Sequence, residues 1–117
     1  MPRRRRERER ERRASEDVEF ERGLAREITR LFPGCPSERA ELIARHTAER
    51  NSGRVGRTAA ARTLDPYAIT LAVIAAIRHD DTDYDTLLMN GIDRADARDR
   101  VRATVDDILT TWRTPSA

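Results

Sequence analysis

Lysine is missing altogether: all 23 basic residues are arginine. Codon bias in a GC-rich genome and selection for bidentate phosphate recognition both produce this pattern, and codon bias is the simpler account. Aromatic side chains are almost as scarce, at two Phe, two Tyr and one Trp. The core must therefore come from Ile, Leu, Val and Ala. The single cysteine, Cys35, excludes an internal disulfide and suits a reducing compartment. The longest mostly apolar run, Ala68 to Ile77, falls well short of the roughly 20 residues that a bilayer span needs. No apolar segment follows the basic start as it would in a secretory signal, and Glu7, Glu9 and Glu11 argue against an organelle-import leader. The expectation is a soluble cytoplasmic protein with no membrane contact. Sustained period-two alternation is also missing, which argues against a sheet.

What is abundant is charge. At 117 residues the chain suffices for one domain, and 38% of it is Asp, Glu or Arg. The net charge of +2 hides a segregated pattern. Residues 1–13 hold eight Arg against three Glu, and 39–62 hold six Arg against two Glu. By contrast, 14–38 hold three Arg against six acids, and 63–117 hold six Arg against ten. Two basic blocks thus alternate with two acidic ones, and local sign governs partners more than the total does.

Residues 1–14 show no apolar periodicity and are expected to be a disordered tail or a solvated helix, with Glu9 and Arg13 as an i,i+4 pair. Residues 15–114 form the expected single helical domain, with 115–117 as the C-terminal end. From Ser15, a usable N-cap, Phe20, Leu24, Ile28 and Leu31 mark a helix that Pro33-Gly34-Cys35-Pro36 ends. A second helix is expected over 37–50, with Ala40, Ile43, Ala44 and Thr47 inward. Asp65-Pro66 reads as N-cap and N1 of a third helix over 66–79, apolar on every side and so placed at the centre. A short fourth helix should stop at Gly91. A fifth, capped by Asp93, carries the stripe Val101, Val105, Ile108 and Trp112. The expected fold is an all-α bundle of about five helices around the 66–79 helix.

Between the second and third helices lies Asn51-Ser52-Gly53-Arg54-Val55-Gly56-Arg57-Thr58, with Arg62 beyond. Glycines permit positive φ and close backbone approach, so successive amides can line a concavity, and guanidinium forks add bidentate charge. Gly53, Arg54, Gly56, Arg57 and Arg62 are therefore the candidate anion and nucleic-acid-binding residues. The GxxG spacing is similar to that of KH domains, but those need a sheet. The connection is too long for a helix-turn-helix. No aromatic residue lies near the loop to stack on a base, so backbone gripping is expected without base reading. The competing account pairs these arginines with the acidic 80–107 surface.

Leu31-Phe32-Pro33, the Ser52–Arg57 loop, Arg78-His79 followed by Thr82-Asp83-Tyr84-Asp85, Leu87-Leu88, Gly91, Arg94, Ala97-Arg98 and Val101 resemble domain-of-unknown-function family 2293, found in actinobacteria and fungi. The likeness covers roughly residues 24–113. It implies a domain boundary but no activity, substrate or cofactor.

Other residues invite chemistry and fit it less well. Asp81, Asp83 and Asp85 copy the first ligand positions of an EF-hand, but Thr86 and Ile92 stand where Gly and Glu are required. A divalent-metal hydrolase using His79 and these aspartates is a third reading. Capping of the fourth helix by Asp81 or Asp83, with Tyr84 packed on the third helix, explains them more simply. His46 and His79 lack a nucleophile partner, and Cys35 has no motif context. Arg94, Arg98 and Arg102 make a strip that Asp99 and Asp106 can neutralise. No catalytic residue, metal ligand or cofactor is expected. The expected partner is RNA or DNA backbone, with a protein partner or self-association as the alternative. The N-terminal arginines would support the loop as an accessory.

Overall fold

The computed structural model describes residues 2–51 and 64–115. Among the described residues five helices follow in order: α1 (Pro2–Leu31), α2 (Ser37–Asn51), α3 (Pro66–Asp80), α4 (Tyr84–Met89) and α5 (Arg94–Arg113). There is no strand among the described residues, and the fold is all-α.

α1 begins far upstream of Ser15, which lies inside it. Arg and Glu are good helix formers, and nothing between Pro2 and Leu31 interrupts them. Within the first turns Glu9 pairs with Arg5 (3.9 Å) instead of Arg13, and Arg12 reaches Glu16 (3.8 Å). The core begins only at half-buried Phe20, followed by fully buried Leu24 and Ile28. Residues 3–19 make an arm that adds nothing to that core.

The Pro33–Pro36 turn does more than stop α1. Buried Phe32 packs at its start, and the Gly34 amide donates to the Trp112 carbonyl (2.7 Å). A Cβ at Gly34 would sit 2.4 Å from the Thr114 carbonyl oxygen and 2.5 Å from that of Thr111. Glycine here serves close backbone approach, locking the turn against the end of α5.

α3 contacts all four other helices, which places it at the centre of the bundle. Ile69, Val73 and Ile77 form its buried stripe. The apolar-all-round sequence nonetheless does not bury every side: Tyr67 is 72% exposed and Leu71 49%. Asp65 occupies the N-cap without a side-chain cap bond, and Pro66 sets the first turn. α4 ends in a Schellman motif. The Ile92 amide donates to Leu87 O and the Gly91 amide to Leu88 O (both 3.0 Å), and Gly91 takes φ +86°. Asp93 then caps α5 by accepting from the Ala95 amide at 3.2 Å. Along α5, Ala97, Val101, Val105, Leu109 and Trp112 are buried, so Leu109 rather than Ile108 completes the stripe.

Candidate functional site

The five residues singled out for anion binding, Gly53, Arg54, Gly56, Arg57 and Arg62, lie outside the described residues. In the chain they fall between Asn51, the last residue of α2, and Pro66, the first of α3. The second basic block is the arm of α1. Its eight arginines are all exposed. Only Arg5 and Arg12 have a carboxylate within ion-pair distance among the described residues. Arg3, Arg4, Arg6, Arg8, Arg10 and Arg13 have no ion pair among the described residues.

The best-organised charged centre is one that sequence reading passed over. Arg39, in the first turn of α2, reaches across to the segment after α3. Its Nη1 and Nη2 donate to the two carboxylate oxygens of Asp81 at 3.0 and 2.7 Å, and Nη2 also lies 3.7 Å from Asp80. The guanidinium carbon sits 5.1 Å from the centroid of the Trp112 ring, so cation–π contact adds α5 to the clasp. The hydrogen bonds from Arg39 to Asp81 raise the arginine's pKa, against a desolvation that lowers it. Helix geometry places Arg39 about 40° from Ile43, at the edge of the apolar face of α2. That is the one signal by which the sequence could have revealed it. Its partner lies 42 residues away and leaves no local trace.

This clasp decides the roles of the neighbouring acids. Asp81 does not cap α4, because Arg39 holds its carboxylate. Asp83 occupies the N-cap position without a cap bond. Thr82 does the work instead: its Oγ1 accepts from the Tyr84 amide at 3.1 Å and donates to the Arg78 carbonyl. Tyr84 is buried against α3, its ring 5.6 Å from His79 and 5.5 Å from the Arg78 guanidinium carbon. His79 Nδ1 lies 2.6 Å from Asp85 Oδ1 at the surface.

An acid–base reading of these groups does not assemble. No hydrogen bond, ion pair or ring contact joins exposed His46 to His79 among the described residues. Cys35 is buried with its thiol 3.5 Å from the Pro36 carbonyl oxygen. Burial raises the thiol's pKa; nearby Arg39 lowers it and Asp81 raises it further. Among the described residues, no group of three His, Cys, Asp or Glu could hold a metal ion. On α5, Arg102 pairs with Asp99 at 2.7 Å, whereas Asp106 has no ion pair among the described residues. No helix of the described residues is long and apolar enough to cross a membrane.

The family described as "Uncharacterized conserved protein (DUF2293)" matches residues 27–113. The chain belongs to this family. No curated protein and no solved structure matches the chain. The DUF2293 segment contains residues 52–63, the Arg39–Asp81–Trp112 clasp and the last turn of α1. The arm, residues 3–19, lies outside the matched segment.

Proposed function

We propose that the chain is a non-catalytic helical module that grips the backbone of RNA or DNA. The Gly53–Arg57 loop and Arg62 provide one contact, and the arginines of the α1 arm provide another. The observation that carries the reading is the arm: six of its eight arginines lack an ion pair among the described residues. Guanidiniums left in water on a solvated helix are poised to exchange hydration for phosphate oxygens, with counterion release as the driving term. The loop supports the same reading from composition. Residues 52–63 contain three arginines and no carboxylate, so any anion that meets them comes from elsewhere.

A second reading, a protein-interaction module, draws on the outer face of α5. Asp96, Asp106 and Asp107 are exposed there without an ion pair among the described residues. A basic partner, or the basic loop of another copy, would fit that face.

Mobility shift against a random duplex and a single strand at two salt concentrations tests the first reading. Wild type should shift both, more weakly at the higher salt, and the Arg54→Ala/Arg57→Ala double variant should bind more weakly than wild type. A wild type as inert as the double variant removes nucleic-acid binding and leaves the protein-interaction reading.

A further inference from the structure

The distribution of arginines around the arm says more than their number. At about 100° per residue, Arg3, Arg6, Arg10 and Arg13 fall within an arc of about 80°, and Arg4, Arg5, Arg8 and Arg12 within one of about 100°. The centres of the two rows lie about 165° apart, on nearly opposite sides of the helix. Glu7 and Glu11 occupy one of the gaps between the rows and Glu9 the other, so each row is free of acids. A helix built to lie on a single phosphate strand would need one row only. Two opposed rows suit a helix with phosphates on both sides.

From this we infer that the arm enters the major groove of duplex DNA and bridges its two phosphate walls; the inference rests on the nucleic-acid reading above. The dimensions agree. A helix with its side chains is about 10–12 Å across, and the major groove of B-form DNA is about 12 Å wide. Residues 3–13 span about 15 Å of helix axis, and about nine phosphate charges lie along that length of duplex. Eight arginines face them. The groove of A-form RNA is too deep and narrow to admit such side chains, which selects DNA over double-stranded RNA. About 10 Å of helix separates Arg13 from Phe20, the first residue packed on the core, so the body does not collide with the duplex. Glu16, Asp17, Glu19 and Glu21 follow the last arginine. Their repulsion from phosphate ends the contact at Arg13.

Two variants of the full chain separate the rows. One changes Arg3, Arg6, Arg10 and Arg13 to Ala; the other changes Arg4, Arg5, Arg8 and Arg12 to Ala. Both lose the same charge, and both replace exposed arginines with a residue at least as helix-favouring. Circular dichroism confirms that each remains folded. Anisotropy titration with random-sequence duplex DNA from about 50 mM to about 200 mM salt should show each variant at least tenfold weaker than wild type. Each should also have a salt slope less steep by about 3–4, as expected when four phosphate contacts are lost. Double-stranded RNA should bind wild type at least tenfold more weakly, and the minor-groove ligand netropsin should not displace the protein. A defect confined to one row, equal affinity for double-stranded RNA, or displacement by netropsin overturns groove insertion. Wild type that binds DNA with both row variants unaffected also overturns it, and leaves the loop as the contact. Wild type that binds no nucleic acid overturns the functional reading itself.

Discussion

Arg39 ties α2 to the segment after α3 and to α5. It donates two charge-assisted bonds to Asp81, covers Trp112 and sits beside buried Cys35. Arg39→Ala removes those bonds and leaves the partly buried Asp81 carboxylate without its partner, at a cost of about 2 kcal/mol. Asp81→Asn costs less, because the amide keeps one acceptor and carries no charge. A double-mutant cycle by urea denaturation should give a coupling of about 1 kcal/mol or more. Strict additivity would mean that the clasp contributes nothing. Cys35 supplies a pH signature. The folded state raises its thiol pKa, so this group stabilises fully below the ordinary thiol value, and the contribution is lost as alkaline pH rises through the raised one. Chemical denaturation across that alkaline range should show stability falling in wild type. The fall should be shallower in Cys35→Ala, and identical profiles in the two proteins would refute the assignment.

At the scale of elements, helix α1 has two halves held by different forces. From Phe20 onward it is fixed by burial; before that it has only exposed i,i+4 pairs such as Arg5–Glu9 and Arg12–Glu16. Such pairs contribute about 0.2–0.5 kcal/mol each and weaken with salt. Amide exchange should therefore be fast over residues 3–17 and slow over 24–31, with addition of duplex DNA slowing the first set. Equal protection of both halves would contradict this division. The same contrast explains what the sequence revealed. Leu24, Ile28, Ala40, Ile43, Ala44, Val101, Val105 and Trp112 were legible because burial imposes a helical period. So were Gly91 and Asp93, whose local geometry their residue type dictates. The start of α1 was not, because a solvated Arg/Glu helix has no apolar stripe to announce it. Leu71 misled in the opposite sense: its hydrophobicity implied burial, but position on α3 alone decides which side faces the other helices. The clasp escaped notice because a pair 42 residues apart is a product of topology and not of spacing. The loop's arginines were legible as chemistry, while their arrangement lies outside the described residues.

The whole molecule is more extended than its length requires. A compact chain of 117 residues would have a radius of gyration of about 13 Å; the observed value is 17.1 Å, with principal extents of 58 × 40 × 23 Å. The difference is the arm, a basic rod projecting from a body whose exposed face on α5 is acidic. Those opposite charges attract over a Debye length of about 30 Å at 0.01 M salt and only about 8 Å at 0.15 M. Folding the arm back would need α1 to break between Arg13 and Phe20, where no Gly or Pro weakens it. Small-angle scattering should therefore give a radius of gyration near that of the projecting form at both salt concentrations. Deleting residues 3–13 should lower it while leaving the thermal midpoint of the body unchanged, since those residues bury nothing in the core. A marked contraction of the full chain at low salt would show the arm lying on Asp96, Asp106 and Asp107. Arg3, Arg4, Arg6, Arg8, Arg10 and Arg13 would then be paired within the molecule and unavailable to an external polyanion.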